Sequence, residues 1–211
     1  MAALGTVFVT SFFLAFSGAM MPGPLLTATI SESARRGGLT GPLLILGHSI
    51  LEFGMVAALL FGLAPLLTRA AVFVAIALAG AAVLFVMAGR MFRSLPDLRI
   101  DWNAREKESG PLFSAGILLS LANPYWTVWW ATIGLGYLLT CRDLGLAGVV
   151  AFFFGHIAGD FLWYSAVSLL VSRGRHLLST RVYRGLIAAC ATFLAGFACY
   201  FLYEGFRKLA G

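Results

Sequence analysis

The chain has 211 residues, 60% of them hydrophobic and only 11% charged, with a mean hydropathy of +0.91 and a formal net charge of +6. Soluble domains carry about 25% charged residues, so this composition excludes a soluble globular domain and assigns an integral membrane protein. Apolar runs longer than the roughly 20 residues of a transmembrane helix, without strand-type alternation, exclude a barrel and predict an all-α membrane fold.

Six apolar segments follow in chain order: 4–30, 40–67, 70–92, 112–139, 145–171 and 184–206. No basic stretch precedes Phe8 and the first run continues to Ile30, so a retained span is expected rather than a cleaved signal. Between the third and fourth segments lies the one polar stretch, with Asp97, Arg99, Asp101, Arg105, Glu106, Lys107 and Glu108. It reads as a linker, 93–111, between a first half at about 4–92 and a second at about 112–206, all within one transporter domain spanning 1–211. Cys141, Cys190 and Cys199 form neither a CxxC motif nor a disulfide framework and read as small apolar residues.

Loop charges predict orientation. Loops after the first, third and fifth spans hold Arg35, Arg36, Arg90, Arg93, Arg99, Arg105, Lys107, Arg173, Arg175, Arg181 and Arg184. The opposite side holds Arg69, Arg142, Arg207 and Lys208. The positive-inside rule puts the richer side in the cytoplasm and both termini outside.

The two halves echo each other. Gly47-His48 with Glu52-Phe53 recurs as Gly155-His156 with Asp160-Phe161, an offset of 108. Leu78-Ala79-Gly80 with Gly89 recurs as Leu194-Ala195-Gly196 with Gly205, an offset of 116. Proline interrupts the first span of each half, at Pro22-Gly23-Pro24 and at Asn123-Pro124. Three spans per half force the second copy to insert upside down. Six transmembrane helices as two inverted three-helix repeats, with helices 1 and 4 broken at proline, are therefore expected, with a site near mid-bilayer where the repeats meet.

An interior proline removes a backbone hydrogen bond and clashes with the preceding turn. Asn is a good N-cap and Pro is favoured at the first helical position, so half-helices are predicted to start at Pro24 and Pro124. Their free N–H groups suit an anionic group such as a carboxylate, with Thr27 and Thr127 in reach to add hydroxyls. Residues four apart share a helical face, so His48 stands one turn from Glu52 and His156 one turn from Asp160. Ionisable groups at membrane depth are costly and mark functional sites. Three roles are open to the acids: binding a substrate ammonium, carrying a coupling proton, or ligating a metal. His48 and His156 could orient the acids or relay protons. Trp126, Trp129 and Trp130 fall on one helical face and could wall a cavity, contact an ammonium, or form an interfacial belt. Ala77 with Ala81, and Ala191 with Ala195, allow close helix contact, either within the chain or in a homodimer.

Pro22-Gly23-Pro24 late in the first span, the glycine-rich approach to the second (Gly37, Gly38, Gly41, Gly47) and Leu121-Ala122-Asn123-Pro124 in the fourth resemble the LysE-family amino-acid exporters. The resemblance covers essentially the whole chain. It implies a multi-pass protein of the cell's cytoplasmic membrane that exports amino acids, driven by the proton gradient. Its substrate-binding candidates are Pro22, Gly23, Pro24, Thr27, Glu52, Asn123, Pro124, Trp126, Thr127 and Asp160; the proton-coupling candidates are Glu52, Asp160, His48 and His156. The alternative is a divalent metal-ion exporter using His48, Glu52, His156 and Asp160 as ligands. Ser49 beside His48 and Ser165 after Asp160 belong to no nucleophile motif, so an enzyme is not expected. The expected partners are a small-molecule substrate and the lipid bilayer, with no cofactor and no nucleic acid.

Overall fold

The structure, a computed structural model, describes residues 2–67, 69–97, 110–174 and 179–210. Arg99, Asp101, Arg105, Glu106, Lys107 and Glu108 of the linker, and Arg175, lie outside the described residues. Among the described residues the regular structure is entirely helical, and five helices are long and apolar enough to cross a membrane. The protein is a multi-pass membrane protein.

Helix α1 (Ala2–Ala19) ends three residues before Pro22, and α2 (Pro24–Arg36) begins on Pro24. The Pro24 ring would collide with the carbonyl four residues earlier were the helix continuous, so the chain extends at Gly23 and restarts. Helix α2 runs six residues past the expected boundary at 30. Its polar end is knitted by Arg36 Nε to Glu32 Oε2 at 2.8 Å, one turn apart. It terminates at Gly37, whose φ of 92° lies where a side chain would be strained.

Helix α3 (Thr40–Ala58) continues through a π-turn (Leu59–Leu63) into a one-turn α4 (Ala64–Leu67). Helix α5 spans Ala70–Ser94. The fourth segment is built in pieces. Helix α6 (Leu112–Leu121) ends before Asn123, α7 (Pro124–Trp129) starts on Pro124, and a π-turn (Trp130–Gly134) leads into α8 (Leu135–Arg142). The Asn123 side chain accepts the Tyr125 backbone N–H at 3.1 Å, the expected cap. Helices α9 (Gly145–Gly174) and α10 (Thr180–Ala210) complete the bundle.

Packing crosses between the halves of the chain. Helix α1 lies along α9, α6 along α3, and α5 along α10, while α2 and α3 both touch α9. In lipid no hydrophobic drive holds helices together, so close backbone approach matters. A Cβ on Gly47 would run into the Phe113 carbonyl, and one on Gly116 into that of Leu44. A Cβ on Gly155 would likewise strike the Phe8 carbonyl. The contacts Leu44–Gly116 and His48–Ser120 advance together along both chains, so α3 and α6 run parallel. Phe8–Gly155 and Phe12–Gly159 show the same for α1 and α9. Arg184 Nη2 donates to the Pro96 carbonyl at 2.6 Å and Gly205 abuts Leu78, so α5 and α10 run antiparallel.

Ala77, Ala81 and Ala191 are fully buried in the α5–α10 contact, and Ala195 packs beside it. These small residues therefore serve packing within the chain. Large apolar side chains such as Phe13, Phe61, Leu146 and Leu170 point outward, as a lipid-facing surface requires.

Candidate functional site

Among the described residues the only buried acids and imidazoles are His48, Glu52, His156 and Asp160, and they meet at one point. The close approaches at Gly47 and Gly155 explain why. Each lets its helix press against a partner backbone, and the next residue, His48 or His156, is thereby turned into the interior.

His48 Nε2 lies 3.1 Å from Glu52 Oε1 and 3.5 Å from Asp160 Oδ2. His156 Nε2 lies 3.5 Å from Glu52 Oε2 and 3.6 Å from Asp160 Oδ2. The pairs are thus interleaved: each histidine faces the acid of its own helix and the acid of the other. Around them the Trp126 and Trp130 indoles both donate to Glu52 Oε1, at 3.2 and 3.0 Å. Those two tryptophans are four residues apart on one face, and the π-turn begins at Trp130. The Trp129 ring sits 4.8 Å from the His156 ring, and its indole donates to Ser17 Oγ at 3.0 Å. All three tryptophans are buried, which removes the interfacial-belt reading.

Proton placement follows from the hydrogen bonds. Ser120 donates to the Gly116 carbonyl at 2.7 Å, which leaves its oxygen to accept the Nδ1–H of His48, also at 2.7 Å. The opposite ring nitrogen, Nε2, then points at two carboxylate oxygens. A favourable contact there requires a proton, either on that nitrogen or on one of the acids. The cluster must therefore share at least one proton, because buried like charges held this close are costly.

A cavity opens beside the cluster with about 50 Å³ of free space, room for roughly three or four waters. Of the residues picked out in sequence, Gly23, His48, Glu52, Asn123, Trp126, Trp129, His156 and Asp160 line it. Pro22 lines a smaller adjoining pocket with Gly23 and Asn123. Pro24, Thr27, Pro124 and Thr127 are not among the lining residues; Pro24 and Pro124 act by breaking their helices. A Cβ on Gly23 would come within 3.2 Å of Asn123 Nδ2, so the two breaks touch each other as well as the cavity.

Ser17, Ser120 and Tyr164 were not singled out, although Ser120 and Tyr164 line the cavity and Ser17 holds Trp129. A signal was present for the serines: each lies in the last turn before a helix break. A serine inside an apolar helix commonly bonds back to its own backbone, which hides such a role.

His48, Glu52 and Asp160 present one nitrogen and two carboxylate oxygens within 4.8 Å of one another, a set able to bind a divalent cation. The wider arrangement, buried ionisable groups between two broken helices in an apolar bundle, is that of a solute pathway rather than a reaction centre.

Comparison with known proteins agrees. The chain is 26% identical to "Putative amino acid efflux protein YcgF" of Bacillus subtilis (strain 168), over 97% of this chain and 99% of that protein. No solved structure matches. The model of the family described as "LysE: LysE type translocator" matches residues 16–205, nearly the whole bundle and every member of the buried cluster. A transporter and not an enzyme, the chain belongs to the LysE type translocator family.

Proposed function

We propose that this protein exports amino acids from the cytoplasm across the cell's cytoplasmic membrane in exchange for protons. The observation that carries this reading is the interleaved cluster of His48, Glu52, His156 and Asp160, shut away from lipid beside a cavity that reaches both helix breaks. The efflux role named for the Bacillus subtilis relative supports amino acids as the cargo. In this scheme the substrate carboxylate docks near Gly23, where α2 starts without a side-chain cap, and the ammonium meets the acids. The shared proton of the cluster is the coupling ion.

The architecture in this proposal is two inverted repeats and six crossings. The first crossing is α1 with α2, and the fourth is α6, α7 and α8 in series. The exchange of partners between halves supports it: α1 lies parallel to α9 as α6 lies parallel to α3, while α5 and α10 are antiparallel. A pseudo-two-fold axis in the membrane plane requires those three relations.

The test uses purified protein in liposomes loaded with a mixture of the twenty amino acids. An inward proton gradient is imposed and efflux is followed by mass spectrometry. One or more amino acids should leave, and the gradient should dissipate in proportion. Vesicles that release none of the twenty under any gradient would refute the reading. The convergence of His48, Glu52 and Asp160 supports a second reading, export of a divalent metal ion. Liposomes loaded with Mn²⁺ or Zn²⁺ instead of amino acids distinguish the two.

A further inference from the structure

The two buried acids look equivalent in sequence, one per half, yet their surroundings differ. Glu52 Oε1 accepts two indole N–H groups, from Trp130 at 3.0 Å and Trp126 at 3.2 Å, and His48 Nε2 stands 3.1 Å from it. Two donors fill the lone pairs of one carboxylate oxygen. Asp160 has no such clamp. Its Oδ2, like the second oxygen of Glu52, is buried without a hydrogen bond, and its nearest partners are His48 Nε2 at 3.5 Å and His156 Nε2 at 3.6 Å, beyond good hydrogen-bond length. The first half contains no tryptophan to answer, at this acid, to the pair that the second half presents to Glu52.

Resting on the exporter reading above, we propose that Asp160 is the carboxylate that trades a proton for the substrate's ammonium, and that Glu52 is a positioning residue. Glu52, held by two indoles, fixes the histidines and never leaves its place. Asp160 turns toward the cavity without breaking a strong bond. When a substrate arrives, the Asp160 carboxylic acid releases its proton to cavity water and the carboxylate binds the ammonium. When the substrate leaves on the far side, a proton from water takes its place. One group that holds either cation, but not both, makes the exchange obligatory. The titratable groups facing Asp160 are His48 and Glu52 from α3, and His156 and Tyr164 from its own helix α9. Tyr125 is the one further titratable side chain among the described residues that line the cavity.

The experiment compares three variants in liposomes containing a uniformly ¹³C-labelled amino-acid mixture. Label release is measured both as exchange against unlabelled mixture and as gradient-driven efflux, and internal pyranine reports proton movement. Asp160→Asn should reduce exchange, efflux and proton movement to background. Glu52→Gln keeps an oxygen that can accept the indoles. It should retain all three activities, slowed about tenfold by loss of a charge-assisted contact, with a displaced pH profile. A double variant, Trp126→Phe with Trp130→Phe, keeps both carboxylates and should also retain exchange with a displaced pH profile. It decides the matter if Glu52→Gln does not purify as a folded protein. Asp160→Asn retaining pH-dependent exchange, or either clamp variant falling to background while folded, would overturn the assignment. An unaltered pH profile in the tryptophan variant would overturn it too. Wild-type behaviour in all three variants would remove the site itself, and failure of the wild-type protein to carry any amino acid would remove the exporter reading.

Discussion

Ser120 does more than its position in an apolar helix suggests. By donating to the Gly116 carbonyl it obliges His48 to present Nδ1–H to it and Nε2 to the acids. Ser120→Ala leaves a buried ring nitrogen without an acceptor, a loss of about 1–3 kcal/mol. At roughly 2–4 °C per kcal/mol for a chain of this size, the unfolding midpoint should fall by several degrees. Transport should fall with it, because the ring is no longer pinned. Ser120→Thr keeps the hydroxyl and should restore most of both, read by thermal unfolding in detergent and by liposome efflux. Unchanged stability and transport in the alanine variant would show that His48 needs no orienting partner. His48, Glu52, His156 and Asp160 were legible in the sequence because charge at membrane depth is expensive. The indole clamp on Glu52 was not, since nothing in spacing says that Trp126 and Trp130 reach an acid 74 and 78 residues away.

Among the helices, the separation of α3 and α6 is set by two facing glycines. Gly47→Ala must push the Phe113 backbone aside, a strain of about 1–3 kcal/mol, and would also draw His48 away from Ser120. Gly54 lies two turns further along the same helix with nothing within 4 Å of where a Cβ would stand. Gly54→Ala should therefore be neutral, or stabilising by up to about 1 kcal/mol through helix propensity. Measuring both variants by thermal unfolding separates packing from propensity, and equal effects would contradict the close-approach argument. The breaks at Pro22–Pro24 and Asn123–Pro124 were readable because proline's lost donor and ring clash act locally. The division of the fourth segment into four pieces was not. A π-turn at Trp130–Gly134 leaves no sequence mark as clear as proline, and its place depends on the indoles it presents to Glu52. The helix α2 overran its expected end because Glu32 and Arg36 pair along it, a stabilisation that hydropathy alone reads as a stop.

For the whole molecule, the question is whether the ends of α5 and α10 lie on opposite sides of the membrane. The two helices pack along their full length in opposite directions. Arg184 at the start of α10 bonds to Pro96 just past the end of α5, and Lys208 near the end of α10 stands 5.7 Å from the Phe73 ring near the start of α5. If each crosses the bilayer once, Ser94 and Lys208 emerge on opposite faces. The basic residues cluster on the side of Ser94, including Arg90, Arg93, Arg181 and Arg184, so the positive-inside rule predicts that this side faces the cytoplasm. In a variant with Cys141, Cys190 and Cys199 replaced, Ser94→Cys should react with a membrane-impermeant maleimide only after the cytoplasmic face is exposed. Lys208→Cys should react in intact cells. Labelling of both from one side would require an even number of crossings between them, which two three-helix repeats cannot provide. The inverted arrangement would then be lost, and with it the reason for the cluster to sit between two related halves. Opposite labelling leaves the cluster near the axis about which each half would rock against the other, where alternating exposure of Asp160 to the two sides of the membrane needs no movement of the clamped Glu52.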